Sequence, residues 1–166
     1  IQMPRPRMDA AREIFKRHLA ADYPYYPNGA AAEAARRTMI ESAVAKLYLP
    51  NAPGALIATL QFRDGKTRAV TARDLISGRL VEQICTAALE RAFQRHIENG
   101  DHGPHGLSVE DLDLAVDSVR DRLRATLTPH NAHNYLTDLP QDVGVVAVDI
   151  PQRARAGVTF LNQGAR

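Results

Sequence analysis

Residues able to do chemistry are sparse in this chain of 166 residues. In Asp101-His102-Gly103-Pro104-His105 an acid and two imidazoles sit close together, a composition able to ligate a transition metal. The intervening Gly-Pro and the lack of a nearby Cys make this stretch read as a solvated loop. His130 and His133, beside Asn131 and Asn134, read the same way, and no metal ligand is assigned. The single cysteine, Cys85, falls on the apolar stripe of a helix and reads as a buried small hydrophobe, not a nucleophile. Glu110, Asp111, Asp113 and Asp117 read as a helix N-terminus and its wet face, which the helix dipole favours. Ser77-Gly78-Arg79 opens a long amphipathic segment and admits two readings. Ser77 is a helix N-cap with Gly78 in the first turn, or the helix start faces a phosphate, with Gly allowing close approach and Arg supplying charge. No Gly-x-Ser-x-Gly, Walker A or Rossmann glycine pattern occurs. No catalytic residue is assigned.

The elements that hold these groups follow from periodicity and breakers. Ala11, Ile14, Phe15 and Leu19 recur at helical spacing between Arg7 and about Ala21. Pro24, Pro27 and Asn28-Gly29 stop that helix. An alanine-rich helix is predicted from Ala30 to Leu49, with Met39, Ile40, Val44, Leu47 and Tyr48 as its stripe. After Pro50–Gly54, two β-prone runs containing Thr59, Phe62, Val70 and Thr71 flank Arg63-Asp64-Gly65-Lys66, a hairpin signal. The helix after Ser77 carries Val81, Ile84, Cys85, Ala88, Leu89, Ala92, Phe93 and Ile97 on one predicted apolar stripe. Ser108 and Asp111 form a capping box for a helix with Val109, Leu112, Val116, Val119 and Leu123 at heptad-like spacing. Val143–Ile150, rich in valine, is the strongest strand signal. The tail from Pro151 is expected to be loose, with Val158–Leu161 as a further candidate strand.

Composition narrows the class. With 45% hydrophobic residues the chain can bury a real core. A formal charge of +2, from 21 basic and 19 acidic residues, gives no electrostatic reason to expect nucleic acid or a membrane surface as partner. One cysteine excludes an internal disulfide framework and fits a reducing compartment. No apolar run approaches the roughly 18 residues of a membrane span. The opening IQMPRPRMD lacks a signal peptide's apolar region, so the chain is expected to be a cytoplasmic piece of a longer protein.

Three segments together resemble the C-terminal small (lid) domain of AAA ATPases. IQMPRPRMDAAREIFKRHL is similar to that family's basic entry and first lid helix. SGRLVEQICTAALERAF is similar to its Gly- and Cys-containing helix, with Gly78 and Cys85 on the motif positions. GLSVEDLDLAVDSV is similar to its last lid helix. Within the family, YPYYPNG (Tyr23–Gly29), the hairpin leading into ARDLISGRLV, and VGVVAVDI resemble the bacterial proteasome-associated ATPases of the actinobacterial ARC/Mpa group.

The resemblance implies an α+β fold. Residues 1–21 and 74–127 would be AAA+ lid helices, and 22–73 an inserted helix and β-hairpin. Residues 128–150 would supply a linker and the last strand of a small β-grasp-like sheet, and 151–166 a loose tail. It further implies a fragment, inactive alone, of a hexameric ATP- and Mg-using unfoldase. Its partners would be its own subunits in a ring, a proteasome-like core particle and protein substrates. His18 matches a histidine beside the nucleotide base and ribose, and Gly78 the glycine that lets the helix approach nucleotide. Arg79 departs from the pattern, which has a small residue there; phosphate sensing, contact with a neighbouring subunit and plain solvation all remain open for it. The ending FLNQGAR lacks the group's Gln-Tyr-Leu-like docking tail, so an unfoldase without a proteasome remains an alternative. A stand-alone protein-binding β-grasp or helical adaptor is the other.

Overall fold

The computed structural model describes residues 5–27, 29–100, 105–139 and 143–151. In chain order the elements are α1 (Met8–His18), a 3-10 turn (Gly29–Ala31), α2 (Ala32–Tyr48), β1 (Leu56–Phe62) and β2 (Thr67–Thr71). A second 3-10 turn (Ala72–Asp74) leads to α3 (Gly78–Asn99), followed by α4 (Val109–Thr126), α5 (Ala132–Tyr135) and β3 (Val145–Asp149). The chain is α+β. Among the described residues no helix is long and apolar enough to cross a membrane.

Local chemistry accounts for most boundaries. Ser77 is extended (φ −124°, ψ 163°) and its Oγ accepts from Leu80 N at 3.3 Å, satisfying a first-turn donor of α3. Ser108 and Asp111 form the expected reciprocal capping box at the start of α4. At the hairpin, Asp64 Oδ1 accepts from Lys66 N at 3.1 Å, and Gly65 takes φ +83°, which an L side chain resists. That turn sets the register, with Gln61 opposite Thr67 and Thr59 opposite Ala69. β3 adds antiparallel to the other edge of β1, giving the order β2-β1-β3. The central strand is thus the one whose Ile57, Ala58 and Leu60 are buried.

One continuous core joins the helices to the sheet. Phe15 and Leu19 of the α1 end, Met39, Val44 and Leu47 of α2, Ile84 and Ala88 of α3, and Leu112 and Val116 of α4 all belong to it. α3 packs against both α1 and α4, and α2 against the same two helices. Arg12 clamps α1 to α2, donating from Nε and Nη2 to the two Glu41 carboxylate oxygens at 2.6 and 3.1 Å. Arg36 of α2 donates to Lys16 O and Leu19 O, satisfying carbonyls that the end of α1 leaves without helical partners.

Several expectations are corrected. α1 stops at His18, not near Ala21, and Leu19 caps it. The apolar stripe of α3 ends early: Phe93 is 66% and Ile97 64% exposed. Each four-residue step turns a helix by about 400°, so Leu89, Phe93 and Ile97 walk about 40° per step away from the buried face. Val109, the first residue of α4, is exposed as well. Asp111 does not lie on a wet face; it is 5% exposed, because α3 passes over it and Arg95 Nη2 meets its Oδ2 at 2.9 Å. The polar stretch after Pro129 contains the short helix α5, anchored by buried Ala132 and Leu136. Asp101, His102 and the candidate strand Val158–Leu161 lie outside the described residues.

Candidate functional site

His18, Gly78 and Arg79 line one open cleft of about 900 Å³. Three helices build it. The carbonyls bonded by Arg36 fix the end of α1, and with it half-buried His18. The Ser77 cap fixes the start of α3, putting Gly78 beside α1: a Cβ on Gly78 would meet Ile14 Cδ1 at 3.4 Å, ordinary contact. Arg79, one residue on, is exposed to the cleft. The third wall is α4, whose C-terminal half runs beside the start of α3 and contributes Arg122. Arg122 Nη1 reaches Gln83 Oε1 at 3.5 Å.

The cleft is charged in both senses. Arg79 and Arg122 face it together with Glu82 and Glu90, all four exposed. Among the described residues none of these four forms an ion pair with another. Two guanidinium groups, an imidazole and the bare backbone of Gly78 are groups that can receive a phosphate-bearing ligand; the two carboxylates can receive a cation or a guanidinium from outside. The three residues singled out from the sequence, His18, Gly78 and Arg79, line this one cleft, and Arg122, which the sequence did not single out, lines it with them. No local pattern marks an arginine on the solvated side of a helix as facing a cleft made by another helix.

The remaining chemical groups lie elsewhere. Cys85 is 1% exposed, and burial pushes its thiol up to about 12, so its thiolate is scarce at neutral pH. His105 and His96 meet edge to face, with Nδ1 atoms 3.3 Å apart. They border a second hollow of about 270 Å³, largely apolar, between exposed Phe93 and the Tyr23-Pro24 segment. His133 Nε2 lies 3.1 Å from Val143 O and ties α5 to the approach of β3. Among the described residues no three His, Cys, Asp or Glu side chains converge to hold a metal ion.

The cleft is thus a three-helix wall closed by the capped, glycine-led start of α3, with a small antiparallel sheet appended. The family described as "ARC, AAA+ ATPase lid domain" matches residues 6–131, and the chain belongs to it. It is 34% identical over 138 residues to a Micrococcus luteus protein named "AAA ATPase forming ring-shaped complexes", covering 78% of this chain and 23% of that protein. A Frankia casuarinae "Proteasome-associated ATPase" is 29% identical over 108 residues, 62% of this chain and 18% of that protein. A Corynebacterium kroppenstedtii protein, again named for forming ring-shaped complexes, is 29% identical over 121 residues, 70% of this chain and 21% of its own length. The chain thus spans about a fifth to a quarter of these relatives.

Proposed function

We propose that this chain is the lid portion of a ring-forming AAA+ ATPase, hexameric and cytoplasmic, that unfolds proteins for a proteasome-like protease. The observation that carries this is the meeting of His18, Gly78 and Arg79 in one cleft on a chain of the ARC lid family. In this reading the cleft is the lid's face toward ATP. His18 lies beside the base and ribose, Gly78 lets the start of α3 approach, and Arg79 faces the phosphates. The donor set suits an anionic nucleotide: guanidinium and imidazole groups bind phosphate and ribose oxygens by charge-assisted and neutral hydrogen bonds. Mg and most phosphate contacts belong to a large subdomain outside these residues. ATP supplies the free energy of hydrolysis. The lid converts occupancy of the cleft into a change of angle between subdomains, which neighbouring subunits pass around the ring.

The inserted α2, the hairpin and β3 form, in this reading, a reduced β-grasp-like unit fused to the lid core. The stand-alone adaptor alternative is not favoured by the family match, and the relatives' names support a ring and a proteasome partner.

The test is nucleotide binding by the full-length parent protein, followed with a fluorescent ATP analogue. His18→Ala is expected to weaken binding about fivefold, the loss of roughly one net hydrogen bond. Gly78→Val, which fills the approach, is expected to weaken it further. Unchanged affinity in both variants, with the ring intact, would remove nucleotide from this cleft.

A further inference from the structure

We infer that Arg122 is a second phosphate-reading residue of the cleft, one that makes the lid favour a nucleoside triphosphate over a diphosphate. The inference rests on the cleft facing nucleotide and goes beyond it by adding a residue from a different helix and a discrimination. Its basis is a contrast along α4. Arg120 is 2% exposed and donates to Pro53 O at 3.0 Å and also to Lys46 O. Arg124 donates to Gly54 O at 2.9 Å, to Leu56 O at 3.0 Å and to Asp121 at 2.8 Å. Both hold the loop between α2 and β1.

Arg122 sits between them in sequence, and two residues turn a helix by about 200°, so it points to the opposite side. There it lines the same cleft as Arg79. Its one side-chain hydrogen bond within the described residues is the 3.5 Å contact to Gln83. A guanidinium carries five N–H donors, so most of this one's capacity is uncommitted, whereas the Nη atoms of Arg120 and Arg124 each bond to carbonyls or a carboxylate of the fold.

The charges around it favour discrimination over general anion binding. Glu82 and Glu90 face the same cleft and offset Arg79 and Arg122, so the cleft as a whole has little net pull on anions. A guanidinium contributes to an anion it touches and little to one held away by water. An arginine reaching in from α4, opposite the start of α3, therefore separates ligands by where their last phosphate ends. Arg79 sits at the helix start, next to the glycine, and Arg122 comes from α4; in this inference the longer polyphosphate is the one that extends from the first to the second.

The experiment measures ATP and ADP affinity of the full-length parent by calorimetry for wild type, Arg122→Gln, Arg122→Lys and His18→Ala, with thermal melts of each. Arg122→Gln is expected to weaken ATP about tenfold, the loss of a charge-assisted hydrogen bond, while ADP changes less than about twofold. Arg122→Lys is expected to keep part of the preference, and melts should be unchanged because the side chain is exposed. If His18→Ala weakens both nucleotides but Arg122→Gln leaves the ATP-to-ADP ratio as in wild type, the inference on Arg122 fails and the nucleotide reading of the cleft survives. If His18→Ala and Arg122→Gln both leave both affinities unchanged, the reading of the cleft fails with it. Loss of ring assembly by Arg122→Gln at unchanged nucleotide ratio would assign the residue to a subunit contact and overturn the inference.

Discussion

At its C-terminal end α3 presents Arg95, whose Nη2 lies 2.9 Å from the buried Asp111 carboxylate and 2.6 Å from Gly106 O. At its N-terminal end it presents Arg79, which makes no ion pair among the described residues although Glu82 is one turn away. The first end is closed by its charges. Asp111 also caps α4, and Leu107 exchanges backbone hydrogen bonds with the Pro24–Tyr26 segment at 2.9 Å, so the start of α4, the end of α3 and that segment are knotted together. The second end is closed by apolar contact and a serine cap, and its charged groups are left facing an open cleft. The difference teaches where to look for function in a domain without a catalytic set. Charged side chains that the fold has engaged hold elements in place, and those it leaves unengaged at a helix junction are the ones available to a ligand.

The sharpest way to break the closed end is at Gly106. It has φ +94°, and a Cβ there would stand 2.4 Å from Pro24 O and 2.9 Å from Tyr25 N. Gly106→Ala must therefore separate the Tyr25–Leu107 bridge. Backbone strain of this kind plus lost bridge hydrogen bonds costs about 3 kcal/mol or more, a fall in Tm of roughly 6–12 °C for a domain of this size. A melt within about 2 °C of wild type would show that this junction is loose. Asp111→Asn comes next. It keeps a capping side chain and removes the charge facing Arg95, whose side chain is 21% exposed. A loss of about 2 kcal/mol is expected in denaturant titrations; an effect as small as that of an exposed pair such as Lys16–Glu13 would remove the distinction between the two ends.

A broader effect separates the buried core from both ends. Burial raises the hydroxyls of Tyr25 and Tyr48 to about 12 from an ordinary 10.0, and the Cys85 thiol to about 12 from 9.0. The unfolded chain releases these protons first, so their contribution to stability is complete below about pH 9. It is lost as pH rises toward 12. Thermal melts from pH 8 to 11 should show Tm nearly level to about pH 9 and falling above it. Tyr48→Phe loses the 2.8 Å bond to Pro6 O and should melt lower than wild type at pH 8, yet decline less steeply with pH. Parallel slopes for the two proteins would mean that Tyr48 is not protonated by its burial.

How far the sequence carried depends on whether the deciding interaction is local. Ser77, the Ser108–Asp111 box and Asp64-Gly65 were legible because each acts within one turn of chain. His18 and Gly78 were singled out through a resemblance in motif, not through any local rule, and Arg79 was left open. Asp111 was misread because its capping role is local but its burial comes from Arg95 on another helix. Phe93 and Ile97 were misread because four-residue spacing looks continuous on paper and drifts on a real helix. Arg122 did not stand out, since an arginine two places from each of two others says nothing about which of the three the fold engages.

The smallest expected effect is also the cleanest separation of cleft from core. Gly78 has no positive φ, and an added Cβ would make an ordinary contact with Ile14. Alanine suits a helix better than glycine by up to about 1 kcal/mol, less in a first turn whose N–H groups lack helical partners. Gly78→Ala should therefore change stability by under about 0.5 kcal/mol. With the fold unmoved, any weakening of nucleotide binding by this single methyl group in the full-length protein reports on what approaches the start of α3 from outside. A clear destabilisation instead would mean that Gly78 serves the α1–α3 contact, and the nucleotide reading would then rest on His18 and the two arginines alone.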